Sequence, residues 1–127
     1  MKTAQAQRPK WYDLNLAHLP VPGLVSIFHR ISGAVLFLAL PVLLYLLQAT
    51  LASESAWLHW KAILAMGPVK VAAIGLAWLY FHHFFAGLRY LALDVHWGVA
   101  KEPARASARA VFALGALAAL GFAWRIW

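Results

Sequence analysis

Three stretches of the chain are apolar for long enough to cross a bilayer as helices, and the polar positions gather at their ends. Ile31 to Ser53 contains no Asp, Glu, Lys or Arg. As a helix it extends about 34 Å at 1.5 Å per residue, enough to cross a hydrocarbon core about 30 Å thick. The helix is expected to begin near Pro22–Leu24, which sets His29 and Arg30 in its first turns, and Pro41 is a candidate kink. A second stretch lies between Lys70 and Arg89, interrupted only by His82 and His83. Gly67-Pro68 suits its start, because proline is favoured in a first turn. The third, Ala110 to Trp124, is roughly 22 Å long and needs Arg109 and Arg125 to snorkel to the interfaces. Gly115, Ala118, Ala119 and Gly121 give it small faces for close helix packing. An amphipathic surface helix is the alternative for this segment. The pattern predicts an all-α integral membrane protein: a single domain over 1–127, with transmembrane helices at roughly 24–52, 68–94 and 107–127.

Composition narrows the class. Of the 127 residues, 64% are hydrophobic and 12% charged, and mean hydropathy is +0.70. Four acidic and eleven basic residues are too few to clothe a soluble domain of this length. The formal charge of +7 raises nucleic acid as a partner, yet the cations are scattered between apolar runs and form no stripe, so none is expected. The lipid bilayer is the partner this composition implies. With no cysteine, disulfides, thiolate haem ligation and cysteine-ligated iron–sulfur clusters are excluded within the chain, and histidine is left as the natural ligand for a metal or haem. Met1 to Lys10 has no apolar core, so a secretory signal peptide is not expected there.

The basic residues also orient the spans. Lys2, Arg8, Lys10 and Arg30 precede or open the first span; Arg89, Lys101, Arg105 and Arg109 flank the connection on the same side. Lys61, Lys70 and Arg125 fall on the other side, a split of eight against three. The positive-inside rule then predicts a cytoplasmic N-terminus and an external C-terminus. Trp11, Tyr12, Trp57, Trp60, Trp97, Trp124 and Trp127 sit near span ends, as an aromatic belt does.

Polar groups within a bilayer are costly and need partners. Two clusters carry them: Ser26-Ile27-Phe28-His29-Arg30-Ile31-Ser32-Gly33 where the first span enters, and His83-Phe84-Phe85-Ala86-Gly87-Leu88-Arg89 on to Asp94 where the second leaves. Both fall on one side of the membrane. Arg30 lies about 9 Å along a helix starting at Leu24, and His83 about 16 Å back from Asp94. A haem with iron at His83 would direct its propionates towards His29 and Arg30. Gly87, one turn from His83 on the same face, would let a flat macrocycle approach.

In these motifs the chain resembles the larger cytochrome b anchor subunit of succinate dehydrogenase, in the form with two small anchor subunits and one haem. The resemblance runs over nearly the whole chain: Arg8-Pro9 and Asp13-Leu14, Ser-x-x-His-Arg-x-Ser-Gly at Ser26 to Gly33, and His-x-x-x-Gly-x-Arg-x-x-x-x-Asp at His83 to Asp94. It implies that His83 is an axial ligand to a haem b shared with the second anchor subunit. It implies that His29 and Arg30 lie at the haem propionates, and that Ser26 and Arg30 contact ubiquinone or another quinone. Tyr90 departs from the pattern, since close relatives often carry histidine after the arginine. The implied partners are a second small hydrophobic anchor, an iron–sulfur subunit and a flavoprotein that carries FAD, in a bacterial cytoplasmic membrane. No succinate-oxidising site is expected in this chain.

Other readings use the same residues. A quinol:fumarate reductase anchor runs the reaction in reverse. A small transporter would need a carboxylate inside a span, and none is there. A purely structural anchor would hold no haem. Residue by residue, His82 is expected to hydrogen-bond a neighbouring helix, and His18, His59 and His96 to lie in connections. Arg30 could snorkel to headgroups, and Ser26 could bond its own helix backbone. Arg89 and Asp94 could serve only to anchor the span end.

Overall fold

A computed structural model describes residues 19–127 as four helices: α1 (Val21–Leu51), α2 (Glu54–Leu64), α3 (Gly67–Asp94) and α4 (Lys101–Ile126). Lys2, Arg8-Pro9, Lys10, Trp11, Tyr12, Asp13-Leu14 and His18 lie outside the described residues. α1, α3 and α4 are long and apolar enough to cross a membrane. At 1.5 Å per residue they reach about 46, 42 and 39 Å, so each overshoots the hydrocarbon core into the headgroups.

The ends of the helices follow from local chemistry. Extended Pro20 precedes α1 and proline occupies its first turn, where a missing N–H costs nothing. Pro41 sits inside α1, which continues through it. Ser53 is extended and its hydroxyl accepts from the Ala56 N–H at 3.0 Å, which starts α2. Glu54 in the first turn and Lys61 in the last oppose the helix dipole. The connection around Trp57 is therefore itself helical. Hydropathy alone misses it, because eleven mixed residues register as no span. Trp60 packs edge-on against Tyr45 of α1, with centroids 6.1 Å apart.

α3 begins with Pro68 in its first turn. It ends with the Trp97 N–H on the Ala92 carbonyl and the His96 N–H on the Leu93 carbonyl, both 2.9 Å. This is a Schellman closure. His96 takes its left-handed position at φ 61°, a place where glycine is the usual residue. α4 starts at Lys101, earlier than the expected 107. Its first turn carries Glu102 and Pro103, a charged and helix-breaking pair that hydropathy reads as connection.

α3 packs antiparallel to both α1 and α4. Arg89 of α3 meets Ser107 of α4, His82 meets Gly115, and Lys70 lies 5.6 Å from the Trp127 ring. Few side chains are fully enclosed: Val25, Ala86, Ala108 and Val111 form the core cluster. Gly115 and Ala119 of the small-residue face also turn inward, whereas Gly121 opens on empty space. A Cβ at Gly115 would lie 3.4 Å from the His82 backbone, so glycine sets the α3–α4 spacing there. Meanwhile Phe37 and Leu38 are more than 70% exposed. Apolar side chains point outward because lipid, not water, is the solvent they meet.

Candidate functional site

The polar clusters meet where the first turns of α1 face the last turns of α3. Gly33 is the hinge of the contact: a Cβ there would fall 2.9 Å from Cε1 and 3.4 Å from Nδ1 of His83. The absent side chain lets the imidazole press against the α1 backbone. His83 Nδ1 lies 3.1 Å from the His29 carbonyl oxygen and 3.2 Å from Ser32 Oγ. Ser32 in turn donates its hydroxyl proton to the same carbonyl at 3.0 Å. A carbonyl only accepts, so Nδ1 carries the ring proton and Nε2 keeps its lone pair. The His29 ring stacks on His83 with centroids 4.2 Å apart and planes 8° from parallel. Stacking covers the face of the imidazole and leaves its Nε2 edge, where a metal binds in the ring plane.

His82 and His83 have opposite surroundings, as the ~100° step between adjacent helix positions requires. His82 is fully buried, ringed by Phe28, Trp78 and Phe112. Neither of its ring nitrogens has a partner of full hydrogen-bond geometry among the described residues, but the ring lies against the Val25 backbone of α1, so the expected bond to a neighbouring helix is at most a loose one and aromatic packing does most to hold the ring. His83 is half-buried and lines an apolar groove of about 440 Å³ with Gly33, Leu36, Phe37, Tyr80 and Phe84. Of the two, only His83 borders an open groove.

The remaining candidates divide. A Cβ on Gly87 would meet His29 Nε2 at 3.8 Å, an ordinary contact, so His29 occupies much of the space over this glycine. Tyr90 continues the stack, its ring centroid 5.1 Å from that of His29. Its buried hydroxyl has no partner among the described residues. Ser26 is half-buried and Arg30 exposed, one turn apart on α1. Arg89 is 8% exposed and ties α3 to α4: Nε donates to Ser107 Oγ at 3.0 Å and Nη2 to the Ala104 carbonyl at 3.2 Å. It does more than anchor the end of α3.

Ser32 and Gly33, both within the Ser26 to Gly33 motif, join the contact with His83, a part that the sequence did not assign to them. Their spacing of three and four from His29 was the available signal, since it puts all three on one helix face.

Three long apolar helices, α3 antiparallel to the other two, with one imidazole bordering an outer groove, define a polytopic membrane protein. The chain belongs to the succinate dehydrogenase/fumarate reductase transmembrane subunit family, which it matches over residues 4–122. It is similar to the succinate dehydrogenase cytochrome b556 subunit of Coxiella burnetii, 38% identical over 114 residues that cover 89% of this chain and 91% of that one. The subunit of the same name from Paracoccus denitrificans is 28% identical over 109 residues, 86% of this chain and 84% of the other. That of Rickettsia felis is 25% identical over 92 residues, 72% and 71%.

Proposed function

We propose that the chain anchors a succinate:quinone oxidoreductase in the bacterial cytoplasmic membrane, supplies His83 as one axial ligand to a b-type haem, and contributes Ser26 and Arg30 to a quinone site. The observation that carries this reading is the state of His83. Its Nδ1 is engaged by oxygen acceptors while its other edge borders an apolar groove. Metal-ligating histidines characteristically give the second ring N–H to a carbonyl, which fixes tautomer and orientation.

The residues present fit a haem. Among the described residues no three His, Cys, Asp or Glu side chains gather as a protein-only metal cage, and a haem asks this chain for one imidazole only. The groove beside His83 is apolar, as the macrocycle is. His29 and Arg30 lie at the end of the site nearer the start of α1, where cationic or N–H groups can hold propionates. When bound, the haem supplies a one-electron store close to the quinone.

The chain's own residues then have separable tasks. Ser26 offers a hydroxyl donor to a quinone carbonyl, and Arg30, one turn on, offers fixed positive charge as the reduced oxygens develop. Both belong to the end of the molecule that the charge split assigns to the cytoplasm, where protons and a soluble electron donor are available. A second small anchor, an iron–sulfur subunit and an FAD-bearing flavoprotein complete the enzyme. The three relatives are named as succinate dehydrogenase subunits, which favours succinate oxidation over fumarate reduction. A reduced-minus-oxidised spectrum of the purified complex tests the reading: a b-type signal is expected, and a complex without one overturns it.

A further inference from the structure

We infer that Ser32 is a positioning residue for the haem ligand: with the His29 carbonyl, its hydroxyl receives the Nδ1 proton of His83 and sets the electron-donating strength of Nε2. The inference rests on the reading of His83 as ligand and goes beyond it. Ser32 is fully buried, so its hydroxyl cannot turn to water. Its proton is committed to the His29 carbonyl at 3.0 Å, which leaves its lone pairs for the imidazole N–H at 3.2 Å. A hydroxyl that donates is also a better acceptor, because hydrogen bonds in a chain polarise one another. The neighbouring Gly33 closes the α1–α3 gap, and without that approach the hydroxyl could not reach across. An acceptor on Nδ1–H pushes electron density towards Nε2, and a more basic axial imidazole favours ferric over ferrous iron. Serine in a membrane helix commonly bonds the carbonyl three or four residues back and does nothing more. The short distance to a second helix's imidazole is what separates Ser32 from that case.

The test uses the assembled holo complex carrying Ser32→Ala or Ser32→Thr beside the unsubstituted protein. Haem content is read from the reduced-minus-oxidised spectrum, the midpoint potential from a redox titration, and the axial field from the ferric electron paramagnetic resonance spectrum. Ser32→Ala is expected to keep haem and raise the potential, so that at a fixed poise the ferrous-to-ferric ratio grows about fivefold, the worth of one neutral hydrogen bond. Ser32→Thr keeps the hydroxyl and is expected to stay near the parent. An unchanged potential and resonance spectrum in Ser32→Ala overturns the inference. If Ser32→Ala loses haem, Ser32→Thr decides: haem at the parent potential upholds the role of the hydroxyl, and loss from both shows packing alone and overturns it. A parent complex with no b-type signal removes the haem reading itself, and the inference with it.

Discussion

Gly33 and His83 meet across the α1–α3 contact with no room for a methyl group, since a Cβ at position 33 would lie 2.9 Å from the imidazole Cε1. The obstacle faces the ring itself and not the tip of a flexible side chain, so either the imidazole turns or the helices part. Gly33→Ala is expected to lower haem content per assembled complex and to destabilise the chain by about 1–3 kcal/mol, the usual range for overpacking. Haem absorbance per mole of complex and a thermal unfolding midpoint measure the two effects. Full haem occupancy at parental stability would mean that the contact is looser than described.

The two adjacent histidines are expected to respond oppositely. His83→Ala should abolish the b-type spectrum. His82→Leu should retain it, because His82 faces Phe28, Trp78 and Phe112 inside the bundle. Removing two buried ring nitrogens, neither in full hydrogen-bond geometry and one at most loosely held by the Val25 backbone, also relieves a desolvation cost of about 1 kcal/mol. The unfolding temperature of His82→Leu is expected at or above the parent's. A spectrum lost in His82→Leu and kept in His83→Ala would reverse the assignment.

Arg89 and Ser107 join α3 to α4 at 3.0 Å. Ser107→Ala strips the Nε donor of its acceptor in a largely buried place and is expected to cost about 1–3 kcal/mol. Haem binding should persist, since Ser107 is not part of the His29–His83 contact. Unfolding of the purified complex compared with its haem spectrum separates the outcomes.

Ser26→Ala is expected to depress succinate–quinone turnover while electron transfer from succinate to an artificial acceptor at the flavin survives. Arg30→Leu should do the same, with an added effect on the haem because of its proximity to His29. An assembled Ser26→Ala complex with unchanged quinone affinity and turnover would return the serine to a structural role.

For topology, cysteines at Ser55 and Val99 serve as reporters. Both positions are exposed, and Val99 leaves the Arg89–Ser107 bond intact. An impermeant thiol reagent on intact cells should label position 55 and spare position 99. The reverse pattern would invert the orientation drawn from the basic residues.

Much of this architecture was legible from hydropathy. The first two spans fall within a few residues of α1 and α3, and Pro68 stands in the first turn where expected. The start of α4 was not legible, because Lys101, Glu102 and Pro103 look like a connection until the Schellman turn at His96 closes α3 and frees Ala100 to begin a new helix. α2 was hidden for a different reason: short helices are held by caps and neighbours, here Ser53 and Tyr45, rather than by a long apolar run. At the site, sequence spacing singled out His83 over His82 through Gly87. The structure separates the two by burial, and Gly87 is met by His29. The role of Ser32 could not be read, because it depends on a contact 51 residues away along the chain.

The enclosed residues are unevenly placed: Val25 and Ser32 near the start of α1, His82, Ala86 and Arg89 in the second half of α3, and Ala108 to Ala119 in α4. Beyond them, α1 from Phe37 onward shows its leucines to the outside. The chain thus has a sealed end, whose sequence answers to itself, and an open end, whose sequence answers to whatever lies beside it. Substitutions should therefore drift under two regimes. At the sealed end, change at Gly33, His82 or Gly115 must be answered within this gene. At the open end, change at Leu44, Leu47 or Leu51 can be answered in the gene of a neighbouring subunit, or left to lipid. A saturation library scored for complex assembly in cells would separate the two zones, and exchanging the proposed partner anchor for a divergent one would redraw tolerance only at the open end.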